Sequence, residues 1–116
     1  MTADCIFCGI VAGRIPAGLL HADDRVIAFP DLHPLAPFHA LVVPRRHITS
    51  LAVADDPSLL GDLLRVAAAV AREAGFEGSG YRVSTNVGRD AGQEVPHLHF
   101  HVLAGRPLGR SAGPAH

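Results

Sequence analysis

Lysine is absent from this chain and a net charge nearly so: its 10 Arg stand against 11 acidic residues, for a formal net charge of −1. That balance offers no broad basic footprint for nucleic acid or an anionic membrane, though it leaves room for a small anionic ligand. Long apolar runs are missing too. No stretch approaches the roughly 20 residues that span a bilayer, and the opening Met1-Thr2-Ala3-Asp4-Cys5 lacks the basic and apolar regions of a signal peptide. The expectation is a cytoplasmic chain. Cysteine is limited to 2 residues, both expected to be reduced there, and their close spacing favours a metal or redox role over a structural disulfide. There is no internal repeat and no sign of a second domain. With 116 residues the chain reads as one domain that buries roughly two-thirds of its unfolded surface. Its core is expected within about 1–104, with a loosely ordered tail over 105–116 rich in Gly, Pro and Arg.

Histidine is what the chain has in quantity, 8 residues, and three of them alternate in His97-Leu98-His99-Phe100-His101-Val102-Leu103. A strand sends successive side chains to opposite faces, so the histidines would line one face and Leu98, Phe100 and Val102 the other. The apolar alternates fix the register, because a slip of one residue would turn all three imidazoles into the core. A single strand histidine is usually structural, and a bare His-x-His is common to many metal sites. Three in register are costly to packing, since each ring nitrogen needs a partner if buried. Two chemistries suit such a face: a metal centre, or metal-free covalent catalysis on phosphorus. Along one strand the three rings converge poorly on a single ion, with β-carbons roughly 7 Å apart step by step, given a rise of about 3.3 Å per residue. The middle ring is better placed as a nucleophile, and neutral imidazole is competent at pH 7 because its reference pKa is about 6.5.

The remaining pattern predicts an α+β domain: an antiparallel sheet of about five strands under one long helix, with a short helix near the N-terminus. Residues 9–13 fit that short helix, ending at Gly13. Residues 19–22 and 25–29 read as strands joined by Asp23-Asp24. His39-Ala40-Leu41-Val42-Val43 reads as a central strand ended by Pro44. Asp56-Pro57 is a helix start, Asp as N-cap and Pro at the first helical position. Leu59, Leu60, Leu63, Leu64, Ala67, Val70, Ala71 and Ala74 then recur at helical spacing until Gly75. Residues 81–87 alternate as a strand. The loop 88–94 has two glycines and could present backbone N–H groups to an anion. The pair Cys5 and Cys8 admits three readings: zinc ligation with partners from elsewhere in the chain, a redox pair, or inert burial.

The segment 92–103, Gly-Gln-Glu-Val-Pro-His-Leu-His-Phe-His-Val-Leu, followed by Gly105-Arg106-Pro107-Leu108-Gly109, resembles the signature of the histidine triad (HIT) superfamily. Pro37-Phe38-His39-Ala40-Leu41-Val42-Val43-Pro44-Arg45-Arg46-His47 is similar to that family's central strand, and the segments 6–11 and 15–17 to its N-terminal part. Asn86, eleven residues before His97, resembles the Hint branch, where the Fhit branch carries Gln. The resemblance implies a HIT-like fold that dimerises into a continuous sheet, and a purine nucleoside phosphoramidate or nucleotide hydrolase acting at the α-phosphate without a catalytic metal. By the same resemblance His99 is the nucleophile and His101 a donor to the phosphate oxygens, with His97 and His39 orienting the array. Asp31 matches the residue holding the ribose hydroxyls, with Ile27, Phe29 and Leu32 as walls for the base. Asn86, Gly92, Gln93 and Glu94 fall where the family contacts phosphate and leaving group. Some bacterial relatives bind zinc at positions matching Cys5, Cys8, His47 and His97, a donor set that suits a closed tetrahedral site. Alternatives are a dinucleoside polyphosphate hydrolase, a largely non-catalytic nucleotide-binding protein, or a metal-dependent enzyme using the triad as ligands. The chain departs from many relatives at Glu94, where they have Ser or Thr. An ionised carboxylate cannot donate, so Glu94 is protonated, turned away, or matched to a cationic leaving group.

Overall fold

The computed structural model describes residues 5–110. Five strands form one antiparallel sheet: β1 (His21–Ala22), β2 (Val26–Pro30), β3 (Phe38–Pro44), β4 (Arg82–Ser84) and β5 (Phe100–Ala104), in the order β1-β2-β3-β5-β4. A short helix α1 (Ile6–Val11) precedes the sheet and a long helix α2 (Pro57–Glu73) follows β3. The architecture is α+β, the five-stranded antiparallel sheet with one long helix and a short N-terminal helix that the pattern predicts.

The start of α2 is chemically explicit. The Asp56 carboxylate accepts from the Ser58 and Leu59 N–H groups at 3.0 and 3.2 Å, satisfying two orphan donors of the first turn, and Pro57 sits where no N–H is needed. Gly75, at φ +93°, follows the last turn. The apolar stripe lies slightly rotated from the expected one. Leu59, Leu63, Val66, Ala67, Val70 and Ala71 are buried, whereas Leu64 is half-exposed and Ala74 lies in solvent. That stripe packs on one face of the sheet, against Val26, Ala28, Ala40, Val42, Leu98, Phe100 and Val102.

The opposite sheet face carries the alternate residues. Ile27, Phe29, Leu41 and Val43 pack there with Cys5 and Phe7 of the N-terminal segment. Because β3 is covered on both sides it reads as a continuous apolar run, as the sequence has it. Register places Phe29 opposite Leu41, Leu41 opposite His101 and His101 opposite Ser84, one row across four strands. The functional face is therefore the one that α2 does not cover.

Several elements differ from expectation, β4 among them, which spans only Arg82–Ser84 of the strand expected over 81–87. The short helix begins at Ile6 with Cys5 as its N-cap, so the cysteine pair opens the helix instead of preceding it. The hairpin strand expected over 19–22 is only two residues long, and Asp23, whose carboxylate takes the N–H groups of Arg25 and Val26 at 2.8 Å each, forms the turn. Over the described part of the tail, Arg106 donates to the Leu35 carbonyl at 2.9 Å, and Arg82 donates to the Gly109 carbonyl. The rest of that tail, 111–116, lies outside the described residues.

Candidate active site

The alternation of 97–103 holds, but the regular ladder begins only at Phe100. Pro44 has no N–H to donate, so the β3 side of that pairing cannot continue. The preceding residues find other partners: Leu98 N–H donates to the Ile48 carbonyl at 2.6 Å, and the Thr85 hydroxyl to the His99 carbonyl at 2.7 Å. Apolar Leu98, Phe100 and Val102 go to the α2 side. The three histidines share the other face, yet they serve two different neighbourhoods.

His97 is fully buried and belongs to the N-terminal cysteines. Its Nε2 lies 2.9 Å from the Pro44 carbonyl, which can only accept, so the proton is on Nε2 and the lone pair on Nδ1. That Nδ1 stands 3.4 Å from Cys5 Sγ and 3.5 Å from Cys8 Sγ, and His47 Nδ1 is 3.2 Å from Cys8 Sγ. Donor atoms of all four residues lie within 4.8 Å of one another. A tetrahedral zinc with about 2.3 Å Zn–S and 2.0 Å Zn–N bonds has donor-to-donor edges of about 3.3 to 3.8 Å, so the spacing fits. Burial, helped by repulsion from His47 and His99, brings the His97 imidazole down to about 4, against the pull of the Pro44 carbonyl. Burial and the Cys5 sulfur beside it push the Cys8 thiol up.

His99 and His101 face a cavity of about 510 Å³. His99 Nδ1 lies 2.7 Å from the His97 carbonyl and must donate to it, which leaves the Nε2 lone pair as the reactive one. It is thus the main chain of His97, not its ring, that orients His99. The ring of Phe7 meets His99 edge-on at 5.0 Å and Phe29 at 5.7 Å, bracing the plane of the His99 ring. The His101 tautomer is set from the other side. Leu35 N–H donates to His39 Nδ1 at 3.0 Å, so His39 carries its proton on Nε2, 2.9 Å from His101 Nδ1 and 3.3 Å from the Asp31 carboxylate. His101 therefore accepts at Nδ1 and keeps an N–H on Nε2. The rings of His99 and His101 meet at 5.0 Å. One wall presents a lone pair and, beside it, a donor. Candidate donor sets fall into Cys5, Cys8, His47 and His97 on one hand and Asp31, His39 and His101 on the other, so His97, His99 and His101 do not converge on one ion.

Of the expected base walls, Phe29 and Leu32 line the cavity along with Asp31. Ile27 does not: it is 1% exposed, packed beneath the floor among Cys5, Phe7 and Val43. The α1 side of the cavity, Ile6, Phe7 and Ile10 with Ile15, Pro16 and Ala17, went unread in the sequence, and only the apolar character of 6–17 hinted at it. The loop 88–94 also differs from the anion cradle expected of it. The Gly92 and Gln93 N–H groups bond back to the Arg89 and Gly88 carbonyls, and Gly88 N–H donates to the Gln93 side chain. Gln93 donates to the Thr49 and Val95 carbonyls, and Asn86 to that of Ala91. Asn86 and Gln93 hold the loop's shape, and neither lines the histidine cavity; Gly92 and Gln93 line a shallower cleft beside it, while Glu94 borders both.

A fold with a buried imidazole pair tuned in this way defines a class, and comparison gives it a family. The HIT domain model matches residues 12–108. A purine nucleoside phosphoramidase of Escherichia coli is 40% identical over 111 residues, covering 94% of this chain and 93% of that protein. A HIT-like protein of Synechocystis is 41% identical over 115 residues, covering 97% of this chain and all of its own length. Among solved structures, a HIT family hydrolase from Clostridium thermocellum superposes with a TM-score of 0.91 at 38% identity, covering 94% of this chain and 96% of its own. A histidine triad protein from Clostridium difficile gives 0.88 at 48% identity, covering 92% and 95%. The chain belongs to the histidine triad (HIT) family. Within that family it is a hydrolase.

Proposed function

We propose that this hydrolase cleaves purine nucleoside phosphoramidates at the α-phosphorus through a nucleotide attached to His99. The observation that carries the reading is the pair of tautomers: a lone pair on His99 Nε2, set by the His97 carbonyl, beside an N–H on His101 Nε2, set by His39. His99 Nε2 forms a bond to phosphorus as the P–N bond to the departing amine breaks, the amine nitrogen taking its proton from solvent water while His101 Nε2–H donates to a non-bridging oxygen. Water then attacks phosphorus and gives its proton to solvent, the bond to His99 breaks, and the nucleoside monophosphate leaves. Negative charge on the non-bridging oxygens is met by imidazole N–H. Asp31 at the cavity wall suits ribose hydroxyls, and Phe29 and Leu32 suit a purine face. The name of the E. coli relative, a purine nucleoside phosphoramidase, supports this substrate class.

The experiment is acid quenching during turnover of adenosine 5′-phosphoramidate, followed by mass analysis of the peptide containing residues 97–101. A nucleotide adduct on His99 is expected. His99→Ala should lose essentially all turnover while retaining nucleotide binding. Substantial turnover by that variant, with no adduct in the parent protein, would overturn covalent catalysis.

Two accompanying features belong to the same proposal. Cys5, Cys8, His47 and His97 would hold one structural zinc per chain; zinc bound there fixes the ring of His97 and supplies no reacting group. Metal analysis should give about one zinc per chain, lost in Cys5→Ser/Cys8→Ser together with thermal stability, and protein that carries none as purified would return the pair to plain packing. The homodimer would form through β4, which pairs only with β5 among the described residues and so leaves an edge for a second sheet. Sedimentation at micromolar concentration should give a dimer.

A further inference from the structure

Beside the cavity that holds His99 and His101 lies a second, shallower cleft of about 460 Å³, lined by Gly88, Arg89, Gly92, Gln93, Glu94 and Pro96. Glu94 is the one residue that borders both spaces. On the phosphoramidate reading, a departing group that leaves His99 towards the second cleft passes Glu94. The Gln93 amide and the N–H groups of Gly88, Gly92 and Gln93 are engaged within the loop and on Thr49. Arg89, on the exposed rim of the cleft, pairs through Nε with Asp90 at 3.1 Å, so those two charges offset one another. The Glu94 carboxylate makes no hydrogen bond or ion pair among the described residues, in contrast to Asp31, which is held by His39 and the His33 N–H. With Arg89 and Asp90 offsetting one another, Glu94 is the charge left without a partner on that path.

Resting on the phosphoramidate reading above, we infer that Glu94 is a specificity determinant which selects phosphoramidates whose leaving amine carries a second positive charge, an ammonium or guanidinium, along its chain. Attraction between partly exposed opposite charges and repulsion of like ones both act here, and both are screened by salt. The expected discrimination is roughly threefold to fivefold between a cationic and a neutral chain, and about tenfold between a cationic and an anionic one.

The test uses three adenosine 5′-phosphoramidates of six-carbon amines ending in ammonium, methyl or carboxylate, a length that keeps the reacting nitrogen remote from the terminal charge. Values of kcat/KM should fall in that order and converge at 1 M salt. Glu94→Gln should bring the three ratios close to one, and Glu94→Lys should invert the order. Equal rates on all three in the parent protein, or a spread that persists in Glu94→Gln, would overturn the assignment while leaving phosphoramidate hydrolysis intact. If none of the three turns over, it is the phosphoramidate reading that falls, and the order of their binding affinities then decides the role of Glu94.

Discussion

Acid should weaken the metal-free protein through His97 before it reaches the carboxylates. The folded imidazole sits at about 4, whereas in the unfolded chain it returns to about 6.5. The folded state thus binds fewer protons than the unfolded state between those values. The contribution of neutral His97 is complete above about 6.5 and is lost as pH falls towards 4, at about 1.4 kcal/mol per pH unit. Between pH 7.5 and 4.5 the loss is about 2 to 3 kcal/mol, a large part of the roughly 5–15 kcal/mol that holds a domain together. His97 is fully buried, so little of this is lost to solvent screening. The assay is urea unfolding, followed by circular dichroism, of chelator-treated protein at constant ionic strength across that range. His97→Gln is the reference: it cannot titrate, and its amide can still donate to the Pro44 carbonyl. The parent protein should show the steep arm and the variant only the shallow slope of the carboxylates. Parallel slopes in the two proteins would refute the argument.

Leu63→Ala removes a fully buried side chain from the centre of the α2 interface and should cost about 3–4 kcal/mol in chemical denaturation, while activity per folded molecule stays near that of the parent. Gly105, just after β5, has φ +104°, and an added Cβ would stand 2.8 Å from Pro37 Cβ. Gly105→Ala should therefore destabilise by at least about 1 kcal/mol. Because Pro37 borders the loop whose Leu35 fixes His39, that variant should also lower kcat, as measured by phosphoramidate turnover.

The sequence was most legible where the signal is local. Asp56-Pro57 and Gly75 delimit α2 because capping is decided by a few adjacent backbone groups, and the alternation of 97–103 assigned both faces correctly because pleating is a property of the strand itself. Leu64 and Val66 exchanged places for a related reason: the apolar stripe read from spacing is wide, and only the sheet selects which flank is buried. The two roles of His97 were not legible. Its ring turns to Cys5, Cys8 and His47, while its carbonyl aligns His99, and no pattern in sequence separates side-chain from main-chain function. The cavity wall contributed by Ile6, Phe7 and Ile10 was missed for a further reason: it exists only after α1 folds across strands that lie far along the chain.

That placement bears on how a ligand enters. Helix α1 has six residues, too few to persist alone in water, and it rests on the sheet face opposite the α2 core. Its excursions break the small cluster around Phe7 and leave the larger core intact, so opening α1 costs far less than global unfolding. Amide exchange in 6–11 should accordingly outpace exchange in β3. Since α1 carries Phe7 against His99 and begins at the Cys5 anchor, whatever pins Cys5 and Cys8 slows these openings, and with them the arrival and escape of a molecule in the cavity.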